Sequence, residues 1–116
     1  MNILSIMKWK PITKAQLEKE VETQCALLSG QELACFTKIR VPYEPVKIDR
    51  WGKLESVFIV ARKDEFIVFY EDIEDGFEIG KLNEFGIIVE YGANQFTIQH
   101  VVNQLFASNS YTSLVN

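Results

Sequence analysis

Several residue types and patterns are scarce in this chain of 116 residues, and each scarcity excludes a class of protein. The two cysteines are too few for a small scaffold held together by disulfides, and their spacing fits no metal-binding motif. No uninterrupted apolar run approaches the roughly 18 residues that a membrane-spanning helix needs. The apolar stretch at 3–7 lacks a basic region before it and a cleavage site after it, so we expect no secretory signal and a cytoplasmic protein that binds no membrane.

Signatures of catalysis and of nucleotide binding are also missing. Neither of the glycine-rich patterns that hold phosphate groups occurs. His100 is the only histidine, and no cysteine or carboxylate stands at a spacing that would complete a zinc site with it. Residues 71–82 have the length of a calcium-binding loop, but Ile73 and Leu82 occupy positions that need carboxylates. We therefore expect a non-enzymatic protein with no catalytic residue, no metal and no cofactor.

The alternative is a small enzyme or ligand-binding domain with a pocket between sheet and helices. Glu90 lies among apolar residues, and burial would raise the pKa of its carboxyl group. Cys25 or Cys35 could form a dyad with His100 if folding brought the two side chains together. Both cysteines fall on apolar faces, however, where a free cysteine normally packs as a small hydrophobic residue.

Charge is distributed unevenly along the chain, although its net value is only −4. Residues 1–63 carry 11 basic and 7 acidic residues, whereas residues 64–90 carry 9 acidic residues and one lysine. Residues 91–116 carry no formal charge when histidine is neutral. Because an acidic segment repels phosphate backbones and attracts basic surfaces, we expect a protein partner and no nucleic acid. The alternative is a solvated face that keeps the protein soluble.

The composition, with 47% apolar and 24% charged residues, is typical of a globular chain. We expect one domain over residues 1–116, with an N-terminal arm at 1–11 and a frayed tail at 109–116. The N-terminal half begins with a helix signal, because Thr13 and the glutamine three residues later have the spacing of a capping box.

Apolar residues then recur at helical intervals as far as Gly30, a typical helix terminator, which predicts a helix over 13–29. Residues 33–41 alternate in the manner of a strand. Two prolines in 42–52 predict a surface loop or an edge segment.

In the C-terminal half, short β segments separated by turn signals are predicted at 56–61, 66–70, 77–82 and 87–91. Asn94 is the expected N-cap of a last helix, whose apolar residues at 98–106 form one stripe. The sequence therefore predicts an α+β domain with an N-terminal helix, a mainly antiparallel meander of about five strands and a C-terminal helix. Both helices are expected on one face of the sheet.

The segments 56–61 and 66–70 are continuously apolar, so both faces of the sheet need to be covered. The helices cover one face. Residues 42–52 could cover the other with Tyr43, Val46, Ile48 and Trp51. Otherwise that face is an interface with another protein, or with a second copy of the chain in a structural homodimer.

The 14 aromatic residues include several that alternate with acidic residues in the segment 71–91. Exposed rings beside carboxylates would form a surface for a basic partner, whereas buried rings would hold the strands together. We predict that the partner-binding residues are Glu71, Asp72, Glu74, Asp75, Phe77 and Glu78.

The stretch FYEDIEDGFEIGKLNEFGIIVEYGANQFTIQHVVNQL covers about a third of the chain. It resembles the C-terminal part of small bacterial proteins that are similar in size and charge to immunity proteins, which neutralise a cognate toxin. The resemblance implies a protein-binding role, most concretely an immunity-type protein that occludes the site of a bacterial toxin. It assigns no site residue, and acidic side chains would steer the association.

Overall fold

The computed structural model describes residues 10–107. The helices and strands in this part of the chain are α1 (Lys14–Cys25), α2 (Gly30–Ile39), β1 (Arg40–Arg50), β2 (Lys53–Lys63), β3 (Phe66–Glu71), β4 (Gly76–Leu82), β5 (Ile87–Tyr91) and α3 (Ile98–Phe106). The α+β class is as predicted. The predicted tail at 109–116 and most of the predicted arm at 1–11 lie outside the described residues. None of the described helices is long and apolar enough to cross a membrane.

Helix α1 begins as predicted and ends earlier. The Thr13 hydroxyl accepts a hydrogen bond from the Gln16 N–H at 3.1 Å, and the Gln16 side chain accepts one from the Thr13 N–H at 2.9 Å. The predicted end at residue 29 is wrong, because the helix stops at Cys25. Gly30 does not terminate it but opens α2, so the chain enters the barrel through two helices rather than one.

The predicted strand at 33–41 is wrong, because most of this segment is α2. Ser29 and Glu32 form a second capping box, which satisfies backbone N–H groups at the start of the helix. Phe36 and Ile39 are its buried residues. Their separation of three positions places them on one face of a helix, whereas in a strand they would point to opposite faces.

The five strands form a closed barrel in the order β1-β2-β3-β4-β5. Consecutive strands pair antiparallel, which confirms the predicted meander. The barrel closes where β1 and β5 run parallel, with Lys47 opposite Ile87 and Ile48 opposite Ile88. The sheet, which was expected to have two faces that need covering, is therefore closed into a barrel.

The segment predicted as a loop or edge at 42–52 is mainly β1, the strand that closes the barrel. The β1–β2 register shifts between Arg40 and Glu44, around Pro42, while Pro45 lies opposite Phe58. Proline is tolerated at strand edges and irregularities because it lacks a donor for the ladder. The prolines therefore interrupt the ladder locally without removing the strand.

Barrel closure explains why two strands are apolar on both faces. One apolar cluster fills the barrel interior with Ile48, Val57, Ile59, Ile67, Phe69 and Ile88. The other lies between the outside of the barrel and the helices and includes Leu17, Phe36, Val60, Val68 and Val101. The second face of the sheet is thus the barrel interior, covered within the chain, where β1 contributes Ile48 and Val46.

Helix α3 starts later than the predicted cap at Asn94. Thr97 is the N-cap, and its hydroxyl accepts a hydrogen bond from the His100 N–H at 3.2 Å. The predicted apolar stripe is confirmed, since Ile98, Val101, Val102 and Phe106 are buried. The Asn94 N–H points instead to the Glu78 carboxylate, which holds residue 94 outside the helix.

Candidate functional site

The six residues predicted to bind a partner lie in and around the β3–β4 turn. They differ in burial. The exposed members are Glu74 and Asp75, and the buried members are Glu71, Asp72, Phe77 and Glu78. Phe77 belongs to the core between barrel and helices, with its ring edge-on to Tyr70. The exposed acidic residues of the turn are therefore the ones that a partner would meet in this conformation.

Arg50, the last residue of β1, is the cation that faces the buried carboxylates. Its guanidinium group donates to Glu55 Oε1 at 2.9 Å and to Glu71 Oε1, and it lies 3.8 Å from Asp72 Oδ1. The hydrogen bond from Arg50 lowers the pKa of Glu55. Burial raises the pKa of Glu71 in spite of Arg50, and the adjacent charge of Asp72 adds to that rise.

This charge cluster joins three segments at one end of the barrel. Arg50 precedes the β1–β2 turn, whereas Glu71 is the last residue of β3 and Asp72 begins the β3–β4 turn. Asp72 also accepts a hydrogen bond from the backbone N–H of Ile12 at 3.1 Å, which ties the chain before α1 to the same place. The three segments therefore form one joined surface.

We call residues 49–55 and 71–75 the acidic end. These two segments contain six acidic residues and two basic residues, a balance of −4. Lys10 shares a cleft with Asp72 and Asp75, and the two segments themselves keep a net negative charge.

Trp51, at the tip of the β1–β2 hairpin, is 96% exposed. Its φ is +54° and that of Gly52 is +86°, so both central residues of the turn are left-handed, as a type I′ hairpin turn requires. Asn-Gly is the usual pair there, and most other residues with a side chain cost roughly 1–2 kcal/mol in this conformation. The structure thus holds a large ring in solvent at an energetic cost.

Two further apolar side chains are half-exposed at the acidic end, Leu54 at 53% and Ile73 at 50%. With Trp51 they are the exposed large apolar side chains of the acidic end, and we call the three the exposed apolar group. Trp51 is one of the residues that could have covered the second face of the sheet. It does not, because its ring is exposed and belongs to neither apolar cluster. The signal that could have placed it is the Trp-Gly pair at a hairpin position between two strands.

Glu78 lies in the interior of the protein and not on the predicted binding surface. Its carboxylate is fully buried and accepts hydrogen bonds from the backbone N–H of Asn94 at 2.6 Å and of Gln95 at 2.8 Å. It thereby holds the loop between β5 and α3 against β4. Gly76 is part of the same contact, since a Cβ there would lie 2.6 Å from the Gln95 Cα.

A groove of about 410 Å³ opens beside the acidic end, and we call it the Leu54 groove. It is lined by Pro11, Ile12, Pro45, Arg50, Lys53, Leu54, Glu55, Ser56, Val57, Phe58 and Asp72. Most of its wall is apolar. Arg50 and two of its carboxylate partners, Glu55 and Asp72, also belong to the lining.

A second groove, of about 610 Å³, lies between α3 and the barrel on the other side of the molecule. Its lining includes Lys63, Phe66, Ile79, Phe96 and Leu105. Lys63 is engaged there with Asp64 at 3.2 Å and with the ring of Phe106 at 5.2 Å. This is the pocket between sheet and helices that the alternative interpretation requires.

The candidate catalytic side chains of the alternative hypothesis do not line that groove. Cys35 lines a small pocket of about 140 Å³ between α2 and α3, and Glu90 is exposed on β5. His100 is exposed, and its Nδ1 accepts the Thr97 N–H at 3.3 Å as part of the cap of α3. Burial raises the pKa of the Cys25 thiol, which disfavours the reactive thiolate.

Within residues 10–107, no three histidine, cysteine or acidic side chains are arranged to hold a metal ion. The segment 71–82, which has the length of a calcium loop, runs instead into the paired strand β4. No family model, curated protein or solved structure matches this chain.

Proposed function

We propose that the chain is a non-enzymatic, cytoplasmic protein-binding domain that engages a basic surface of another protein through its acidic end. The observation that carries the proposal is Trp51. A fully exposed tryptophan in a left-handed turn lowers stability, and such costs are usually retained where a protein binds something. Tryptophan is also the residue type most enriched among side chains that dominate binding energy.

The surroundings of Trp51 support the same role. Leu54 and Ile73 provide exposed apolar area at the same end of the barrel, and Glu74 and Asp75 provide exposed negative charge. The buried pairing of Arg50 with its carboxylates fixes the two turns relative to each other, so little order would have to be gained on binding. Exposed carboxylates would accelerate association with a basic partner.

The most concrete form of this function is an immunity-type protein that neutralises a bacterial toxin by occluding its site. The resemblance of residues 69–105 to small bacterial immunity proteins supports this form. Co-expression with the captured partner tests it, because an immunity protein restores growth of cells that produce the toxin.

The binding role is tested by capture on the immobilised chain from a lysate of its source, at 50 and 500 mM NaCl. We expect a partner at low salt that is lost at high salt and lost with the double variant Glu74→Lys/Asp75→Lys. The matched control is Asp64→Lys/Glu65→Lys, which reverses two exposed acidic residues at the opposite end of the barrel. Equal capture by both double variants would contradict the proposal.

A second candidate is a small-molecule-binding domain that uses the groove between α3 and the barrel. Its size falls within the range of about 300–1,000 Å³ typical of ligand pockets, and its walls include Phe66, Ile79 and Phe96. A screen of small amphipathic compounds by thermal shift tests this candidate, and Ile79→Lys should abolish any hit. Hits that bind the variant equally well would count against the groove.

A further inference from the structure

We infer that the Leu54 groove receives an apolar side chain of the protein partner, and that lysine or arginine residues flank this side chain in the partner. The inference rests on the proposed function and names the chemistry of the partner segment. Three observations support it. The lining of the groove is largely apolar, its charged groups are already paired with one another, and exposed acidic residues lie in the adjoining turns.

The groove offers apolar area to an incoming side chain. Pro11 and Ile12, which precede α1, and Leu54 and Phe58 of β2 contribute apolar side chains to its lining. Its volume of about 410 Å³ accommodates a leucine or phenylalanine side chain. Removal of such a side chain from water is favourable in proportion to the apolar area that it buries.

The polar groups inside the groove are engaged with one another. Glu55 accepts from Arg50 at 2.9 Å and lies 4.0 Å from the Lys53 ammonium. Asp72 accepts the Ile12 N–H at 3.1 Å. A charged side chain entering here would have to be desolvated and would have to displace these contacts, so an apolar side chain fits better.

The residues of the two turns near the groove favour a basic side chain, whereas the inside of the groove favours an apolar one. Asp49 directly precedes Arg50 in the chain, and Glu74 and Asp75 follow Asp72 in the β3–β4 turn. All three are exposed, and Lys53 is the exposed base of the two segments. On the helix side, Lys14 lies 5.9 Å from the ring centre of Phe58. Lys10 lines a cleft with Asp72 and Asp75. The exposed carboxylates of the turns are therefore the groups that basic residues of a partner would meet.

The Leu54 groove and the exposed apolar group share a residue and are linked by adjacent residues of the chain. Leu54 is half-exposed and also lines the groove, and Arg50, which anchors the groove, directly precedes Trp51. One partner segment can therefore place its apolar side chain in the groove while neighbouring basic residues meet the carboxylates and Trp51.

Three acetylated tripeptide amides, titrated into the ¹⁵N-labelled full chain, test the inference. The probes are Arg-Phe-Arg, Arg-Ser-Arg and Glu-Phe-Glu. We expect Arg-Phe-Arg to shift the backbone resonances of Ile12, Leu54 and Phe58 saturably, and to bind at least fivefold more tightly than either of the others. Leu54→Ser should weaken Arg-Phe-Arg at least fivefold. Val89→Ser, a comparable change of a half-exposed apolar residue on β5, should leave it within twofold.

The contrary outcomes are distinct. Equal affinity of Arg-Phe-Arg and Arg-Ser-Arg, with shifts confined to Trp51 and the β3–β4 turn, overturns the groove but leaves the proposed function in place. Equal affinity of Glu-Phe-Glu and Arg-Phe-Arg overturns the basic character of the partner segment. Shifts of the groove resonances on dilution without peptide assign the groove to a second copy of the chain, which also overturns the inference.

Discussion

Arg50 and Glu71 form a buried ion pair between β1 and β3, two strands that are not neighbours in the barrel. The guanidinium reaches across the end of β2, where it also binds Glu55. Three carboxylates therefore surround one cation, and burial raises the pKa of Glu71. The pair is the reason that part of the predicted acidic surface faces inward.

The first prediction concerns the pH dependence of stability. Because the pKa of Glu71 is higher in the folded state, the folded protein binds this proton more tightly than the unfolded chain does. Its contribution to the free energy of unfolding therefore falls as pH rises from about 4.3, the ordinary pKa of glutamate, through the raised pKa. Glu71→Gln removes this titration, so the variant should gain stability relative to wild type across that interval.

Urea unfolding at a series of pH values measures this difference. Glu55→Gln is the control of opposite sign, because the pKa of Glu55 is lowered. That variant should lose stability relative to wild type as pH rises toward about 4.3, and the difference should then stay constant. A difference for Glu71→Gln that is flat or falls with pH would contradict the burial of this carboxylate.

The second prediction concerns Glu78. Glu78→Ala leaves the backbone N–H groups of Asn94 and Gln95 without their acceptor, so we expect a loss of about 2–3 kcal/mol in the free energy of unfolding. Hydrogen exchange of these two amides should accelerate. Glu90→Ala, at an exposed position on β5, should cost less than about 0.5 kcal/mol. Similar costs for both variants would show that Glu78 does not hold the loop.

The third prediction concerns the contact between β4 and the same loop. Gly76→Ala places a methyl group 2.6 Å from the Gln95 Cα, which forces the backbones apart and should cost about 2 kcal/mol. Gly30→Ala is the matched control. It meets no atom within 4 Å and lies in a helix, where alanine is preferred, so it should be neutral or stabilising. Thermal unfolding of both variants is the measurement, and an unaffected Gly76→Ala would exclude the close approach.

Local signals predicted the start of α1 and most of the strands, because capping and β-branched apolar runs act over a few residues. Closure of the barrel could not be predicted in this way. It depends on pairing of Lys47 with Ile87, which are far apart in the chain and join two strands that carry no signal for each other. The second capping box at Ser29 was available in the sequence, and it outweighs the alternation that suggested a strand.

At the candidate site, too, contacts between distant parts of the chain could not be predicted from the acidic segment alone. Sequence places Glu71 and Asp72 in a turn, where solvation is the usual outcome for a carboxylate. Their burial depends on Arg50, 21 positions before Glu71, which only the folded barrel brings beside them. Trp51 was visible as an aromatic residue near two prolines, but its exposure follows from the hairpin that β1 forms with β2.

The most direct test of the account is Trp51→Asn, measured for both stability and affinity for the captured partner. Asparagine suits the left-handed turn, so the free energy of unfolding should rise by about 1 kcal/mol. Affinity should fall at least about 30-fold, the loss of 2 kcal/mol expected for a dominant contact. Phe85→Asn, which removes a ring that is 77% exposed at the opposite end of the barrel, should leave affinity within about twofold. Wild-type affinity of Trp51→Asn would contradict the claim that this end of the barrel binds the partner.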